Sequence, residues 1–239
     1  MVLEPSQPRG RALLLDLDGT LVDSAYLHTL AWQRALSACG FDVPACRIHR
    51  LIGMGGDQLV AALLGERAER DHGAELRAGW EEHYEPLRPE VRALPGAARL
   101  IGAAGDAGWR VVFASSAPKQ HLEQYLELLG ASALRDRATT SDDVDHTKPE
   151  PDLIEVALGR AGTARGVLVG DSTHDVRAGE RAGVRTVCLL TGGYGAAELR
   201  AAGAAAVYDT PRELHERLGE LEGFVDPVVE EAVGAVEGG

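Results

Sequence analysis

Cationic side chains are scarce in this sequence, and lysine is almost absent. The 239 residues include 37 Asp and Glu but only 24 Lys and Arg, which gives a net charge of −13. Nucleic acids and anionic membranes select basic surfaces, so this balance argues against both as partners. The same negative field repels phosphate compounds. A phosphate site in this chain must therefore be built locally, from a metal ion, a positioned cation and backbone N–H groups.

Cysteine and long apolar runs are scarce as well. The three cysteines, Cys39, Cys46 and Cys188, show no Cys-x-x-Cys spacing, which favours reduced thiols over a disulfide framework. No stretch approaches the roughly 18 consecutive apolar residues of a membrane-spanning helix, and Met1 to Gly10 contain no apolar run of secretory-signal length. We therefore expect a soluble, cytoplasmic protein. Its oligomeric state, monomer or homodimer, stays open.

The apolar residues that are present form short runs separated by helical patterns. Such runs lie at residues 12–17 (ALLLDL), 109–114 (WRVVFA), 166–170 (GVLVG) and 184–190 (VRTVCLL). Alternating strands and helices predict a parallel sheet with helices on both faces. Residues 23–90 instead show helical spacing with no strand-like alternation. We therefore predict an α/β fold: a Rossmann-like, doubly wound parallel sheet core from residues 1–22 and 91–239, with an inserted α-helical cap domain at 23–90.

Polar residues follow several of these predicted strands. They are Asp16 near the end of the first run with Asp18 just after it, Ser115 and Ser116 after the second, and Asp171 with Asp175 after the third. Ligands of open α/β sheets bind beyond the carboxyl ends of the strands, so these side chains are expected to form one site. Taken singly, each has a plainer interpretation, because aspartate and serine are also common in turns and at helix starts.

The clustered carboxylates would repel one another unless a cation joined them. Carboxylate oxygens suit Mg²⁺, which also binds substrate phosphate. Lys148 is one of two lysines, beside Lys119, in a chain that otherwise uses arginine. The planar guanidinium group of arginine cannot replace the compact ammonium group of lysine. Lys148 is therefore a candidate for a position that needs a compact positive charge. Ser115 and Ser116 either seat an anion before a helix or simply cap that helix.

Four motifs in order resemble the haloacid dehalogenase-like hydrolase superfamily. They are the segment 16–24 (DLDGTLVDS), Ser115 after VVFA, the segment 148–151 (KPEP) and the segment 170–175 (GDSTHD). The likeness extends from about residue 11 to residue 221. The helical block after the first motif is similar to the cap of the phosphoglycolate phosphatase and β-phosphoglucomutase branch.

The resemblance implies a Mg²⁺-dependent phosphatase acting on a small phosphorylated metabolite. Asp16 would be the nucleophile that forms an aspartyl-phosphate, and Asp18 the general acid and base, with Ser115 and Lys148 completing the catalytic set. The implied metal site consists of Asp16, Asp18 through its backbone carbonyl, Asp171 and Asp175. The expected substrate- or phosphate-binding residues are Gly19, Thr20, His28, Met54 and Ser116.

Three alternatives share this fold. A hydrolytic dehalogenase would lack the second aspartate of the first motif, which is present here as Asp18. A β-phosphoglucomutase-like sugar-phosphate mutase would fit His28 and Trp32, but the cap segment 53–57 carries no arginine for a second phosphate. A catalytically silent ligand-binding member is the third alternative, since a fold alone does not establish activity.

Overall fold

A six-stranded parallel sheet organises the chain. The computed structural model describes residues 10–225; parts of the predicted core domain, residues 1–9 and 226–239, lie outside them. The sheet strands are β1 (Ala12–Leu15), β4 (Arg110–Ala114), β5 (Ala138–Thr139), β6 (Gly166–Gly170), β7 (Arg185–Leu189) and β8 (Ala206–Tyr208). Their order is β5-β4-β1-β6-β7-β8, and every pairing is parallel. The direction of winding therefore reverses beside β1, and such a switch point is where open α/β sheets bind ligands.

Helices cover both faces of this sheet. The helices after residue 95 are α5 (Ala97–Asp106), α6 (Lys119–Leu128), α7 (Asp152–Ala161), α8 (Thr173–Arg181), α9 (Ala196–Ala201) and α10 (Pro211–Glu216). Strand β1 is apolar throughout because both of its faces are buried. Leu13 and Leu15 join one hydrophobic cluster, while Ala12 and Leu14 join another on the opposite face. The predicted α/β fold with a parallel sheet is thus confirmed.

Four further helices precede this region in the chain: α1 (Ala25–Ala38), α2 (Ala45–His49), α3 (Gly56–Leu64) and α4 (Glu66–Tyr84). They are called the helical block below. They share a separate hydrophobic cluster that includes Trp32, Ile48, Leu59 and Leu76. The block therefore has its own apolar interior beside the carboxyl ends of the sheet strands.

Two short strands flank the helical block and were missed by the pattern of apolar residues. Strand β2 (Val22–Asp23) pairs antiparallel with β3 (Arg92–Ala93). Two-residue strands carry no readable alternation, which explains the omission. The structure also ends β1 at Leu15, so Asp16 is the first residue beyond the strand. Within residues 10–225, no helix is long and apolar enough to cross a membrane.

Candidate active site

A tight turn after β1 arranges the first motif. The backbone N–H groups of Thr20, Leu21 and Val22 all donate to the Leu17 carbonyl. Gly19 has a φ of +79°, and a Cβ at that position would lie 2.7 Å from Asp171 Oδ2. A larger residue would therefore be strained and would displace this carboxylate. Gly19 acts through the backbone, by letting the turn approach Asp171.

The same turn aims the Thr20 hydroxyl at two carboxylates. Thr20 Oγ1 lies 2.7 Å from Asp171 Oδ1 and 3.2 Å from Asp16 Oδ2. Thr20 is completely buried, and the two aspartates are each 4% exposed. Thr20 therefore links Asp16 of the first motif to Asp171 of the fourth, which lie 155 residues apart in sequence.

Lys148 is the cation of this cluster. Its Nζ lies 2.5 Å from Asp16 Oδ1 and 2.8 Å from Asp175 Oδ1, and its side chain is fully buried. Burial alone would lower the pKa of Lys148, but the two carboxylates raise it above its ordinary value, so the ammonium stays charged. The other lysine, Lys119, is exposed at the start of α6. Of the two candidate lysines, the structure brings only Lys148 to the carboxylates.

Asp175, in the fourth motif, both caps a helix and belongs to the carboxylate cluster. It is the third residue of α8 and forms a capping box with Ser172, whose hydroxyl donates to Asp175 Oδ2 at 2.6 Å. Its other oxygen faces Lys148. The helix cap thus fixes the carboxylate in the position where it pairs with the lysine.

The carboxylates of Asp16, Asp171 and Asp175 fit a divalent cation. One oxygen from each lies within 4.8 Å of the others, and all three residues are buried. Burial, with the neighbouring carboxylates, raises the pKa of Asp16 to about 7 and that of Asp171 well above its usual value. Three carboxylates against the Lys148 ammonium leave two negative charges when all ionise. An all-oxygen, negatively charged donor set of this kind is the type that Mg²⁺ prefers.

The Asp18 carboxylate has hydrogen-bond partners of its own. Ser24 Oγ donates to Asp18 Oδ1 at 2.6 Å, and His28 Nε2 lies 2.9 Å from the same oxygen. Burial by itself would raise the pKa of Asp18, but the His28 imidazole and the Ser24 hydroxyl hold it well below its ordinary value. His28 in turn stacks on Tyr84 of α4, with ring centroids 4.1 Å apart. The helical block therefore orients the second aspartate of the first motif.

The two serines after β4 have different surroundings. Ser115 is 1% exposed, and its Oγ accepts a hydrogen bond from the Ala117 N–H. It does not cap α6, which begins at Lys119 without a side-chain cap. Ser116 Oγ donates to the Gly53 carbonyl at 3.0 Å, which joins this loop to the helical block. Ser116 and Met54 line a cavity that also reaches Asp16 and Asp18.

The comparison with protein families decides the affiliation of this chain. Residues 13–189 match the model of the haloacid dehalogenase-like hydrolase family. The chain belongs to this family. The predicted membership is therefore confirmed, and with it the prediction that the protein is an enzyme.

The relatives of this haloacid dehalogenase-like hydrolase are named for different substrates. A phosphoglycolate phosphatase (plasmid) of Cupriavidus necator is 32% identical over 206 residues, 83% of this chain and 89% of that relative. Pyrophosphatase PpaX of Bacillus velezensis is 30% identical over 186 residues, 74% of this chain and 82% of that relative. A solved hydrolase structure from Pseudomonas syringae has a TM-score of 0.84 at 33% identity, covering 88% of this chain and 99% of the other.

Contacts between the helical block and the sheet loops were not foreseen from the hydrolase sequence. Thr147 Oγ1 accepts from the Gly55 N–H at 2.9 Å and donates to Asp57 Oδ1 at 2.5 Å. Gln58 Nε2 donates to the Thr147 carbonyl at 2.5 Å. These contacts fix the residue immediately before Lys148. In the sequence, only the position of Thr147 next to Lys148 indicated a role for it, because the residues that Thr147 contacts lie some 90 residues away.

Gly192 is a second missed contributor. It lies in the segment 191–195, just beyond the end of β7. A Cβ at Gly192 would lie 1.6 Å from Asp171 Oδ2, so this position contacts the carboxylate directly. His49 Nε2 also lies 2.8 Å from the Gly192 carbonyl. The segment therefore borders the site and touches the helical block.

Proposed function

We propose that this hydrolase is a Mg²⁺-dependent phosphatase that hydrolyses a small phosphorylated metabolite through an aspartyl-phosphate on Asp16. The observation that carries the proposal is the placement of Asp16. Asp16 is buried and lies directly after β1, at the switch point of the sheet. Lys148 Nζ lies 2.5 Å from its Oδ1. The names of two relatives, a phosphoglycolate phosphatase and a pyrophosphatase, support phosphoryl hydrolysis. Residues 23–90 act as the cap in this proposal.

In the first step, a carboxylate oxygen of Asp16 attacks the phosphorus atom and the bond to the leaving oxygen breaks. Asp18 gives that oxygen a proton. The negative phosphate beside Asp18 raises the pKa of this carboxyl when substrate binds, which lets it carry the proton. Lys148 offsets the repulsion between the anionic nucleophile and the anionic phosphate. The Ser115 hydroxyl and the Ser116 N–H bind phosphoryl oxygens, and the turn at Gly19 and Thr20 keeps Asp16 in position.

In the second step, water hydrolyses the aspartyl-phosphate. Asp18, held ionised by Ser24 and His28 in the substrate-free protein, takes a proton from that water. The water oxygen attacks phosphorus, the bond to Asp16 breaks, and inorganic phosphate leaves. Because a carboxylate of low pKa is a weak base, the bound phosphoryl group must keep the pKa of Asp18 raised through this step as well.

The Mg²⁺ of this proposal would be held by Asp16, Asp171, the backbone carbonyl of Asp18 and, directly or through water, Asp175. When bound, it supplies positive charge to the phosphoryl oxygens and neutralises the carboxylate cluster. The three buried carboxylates whose oxygens converge support this assignment. Their chemistry is hard oxygen donation, which does not favour zinc or copper.

The test is hydrolysis of p-nitrophenyl phosphate with Mg²⁺, with EDTA, and by the Asp16→Asn variant. We expect metal-dependent turnover that Asp16→Asn abolishes, while Asp106→Asn, at an exposed aspartate far along α5, retains it. Turnover that survives Asp16→Asn or EDTA would refute the mechanism. Absence of inorganic phosphate together with isomerisation of a sugar phosphate would favour the mutase instead.

A further inference from the structure

The cavity beside Asp16 and Asp18 extends far into the helical block. Its volume is about 510 Å³, within the range of roughly 300–1,000 Å³ that holds drug-sized ligands. The two aspartates line it, and so do Trp32, Ile52 and Trp80. A phosphate ester attacked by Asp16 would place its leaving group in this space. Glycolate, with two carbons, or a second phosphate would fill only a small part of it.

The wall of this cavity contributed by the helical block is apolar and stiff. Trp80 stacks on both Trp32 and Tyr84, in each case with centroids 5.6 Å apart, and its ring plane lies within 19° and 12° of parallel to theirs, respectively. Ile52 and Met54 add aliphatic surface. Such a wall favours ligands that bury apolar area against it. A charged leaving group would lose its water there without gaining a partner.

The charges around the cavity disfavour a second anionic group. Among the described residues that line it, Arg77 is the one arginine and no lysine occurs. Arg77 Nη1 is already engaged, at 2.8 and 3.1 Å from the two oxygens of Glu69 and 3.0 Å from the Gly56 carbonyl. Glu81 and Asp145 add negative charge to the lining. A carboxylate on the leaving group would therefore meet repulsion, and the arginine in the lining is already paired with Glu69.

We infer that the substrate is a phosphomonoester whose leaving group is an uncharged ring with an apolar face, carrying neither a carboxylate nor a second phosphate. The inference rests on the proposed phosphatase function and narrows it. It sets this hydrolase apart from the substrates in the names of its phosphoglycolate phosphatase and pyrophosphatase relatives. Two features select this leaving group: the apolar wall that includes Trp80, and the pairing of Arg77 with Glu69.

The test compares kcat/KM for matched esters with the full chain and Mg²⁺. Phenyl phosphate and 4-carboxyphenyl phosphate differ by one carboxylate, and glucose 6-phosphate and phosphoglycolate are both primary alkyl esters. We expect the first of each pair to be at least tenfold better, mainly through KM. Acetyl phosphate and pyrophosphate complete the set. Equal or better turnover of phosphoglycolate or pyrophosphate, with acetyl phosphate hydrolysed, would overturn this inference and leave the phosphatase proposal standing. No hydrolysis of any compound would overturn both.

Variants of the cavity wall identify the cause of the selectivity. Glu69→Gln removes the carboxylate that neutralises Arg77, so the ratio of kcat/KM for 4-carboxyphenyl phosphate to that for phenyl phosphate should rise several-fold. Glu66→Gln, an exposed residue on the same helix, is the control and should leave that ratio unchanged. Trp80→Ala should lower the ratio of phenyl phosphate to acetyl phosphate hydrolysis more than tenfold, whereas Trp80→Phe should largely preserve it. Unchanged ratios in both Glu69→Gln and Trp80→Ala would refute the assignment.

Discussion

Replacing Lys148 by methionine tests the charge balance on which the candidate site depends. The Lys148 side chain is fully buried, with Nζ at 2.5 Å from Asp16 Oδ1 and 2.8 Å from Asp175 Oδ1. Methionine has a similar length but no charge, so Lys148→Met removes the ammonium with little change in volume. Asp16, Asp171 and Asp175 then share a buried site with no positive partner.

The expected magnitudes follow from this geometry. Removing one partner of a buried ion pair costs about 3–5 kcal/mol, because the remaining charge is left uncompensated. Part of this loss should return as the pH falls, since Asp16, with a pKa already raised to about 7, then takes up a proton. Loss of a group that stabilises the transition state costs roughly 10²–10³ in kcat. We therefore expect both a less stable metal-free protein at pH 8 and a large loss of turnover.

Urea unfolding with EDTA at pH 8 and at pH 5, together with p-nitrophenyl phosphate hydrolysis with Mg²⁺, measures both quantities. The control is Lys119→Met, which changes the only other lysine, at an exposed position. It should match the wild type in both assays. A Lys148→Met variant within about 1 kcal/mol of wild-type stability at pH 8, or within tenfold of wild-type kcat, would refute the reasoning, since buried pairs and transition-state donors are typically worth more.

Three further perturbations have defined outcomes. Gly192→Ala should weaken Mg²⁺ binding, measured by calorimetry, at least tenfold, because its Cβ would meet the Asp171 carboxylate, whereas Gly195→Ala, with open space around it, should not. Asp16 has a pKa of about 7 against 3.8 for a free aspartate, so this buried carboxyl lowers stability as the pH rises from about 4 to 7. Metal-free Asp16→Asn should therefore have a higher Tm than wild type at pH 8 but not at pH 4; an equal Tm at pH 8 would contradict this. Thr147→Val removes two hydroxyl contacts, with Gly55 and Asp57, that join residues of the cavity lining. It should raise KM, because these contacts position that lining, and an unchanged KM would contradict this.

The sequence was sufficient for the longer strands of the parallel sheet, for the fold class and for the clustering of the carboxylates. Buried parallel strands read as short apolar runs, because both faces of the sheet are covered. Asp16 and Asp171 follow such runs directly, and parallel topology brings the ends of neighbouring strands together. The rarity of lysine also singled out Lys148, which lies between Asp16 and Asp175. These conclusions depend on local pattern and on a general rule of topology.

Only the tertiary structure decided which groups neutralise, orient or enclose that site. The attachment of Thr147 to Asp57 and the neutralisation of Arg77 by Glu69 depend on side-chain directions that no periodicity encodes. The approach of Gly192 to Asp171 depends on two loops meeting after the sheet has formed. Local sequence determines where strands end, but distances of a few ångströms between distant segments are set by packing of the whole fold. For that reason the proximity of Asp16 and Lys148 was predictable from the sequence, whereas the cavity lined by Trp80 and Arg77 was not.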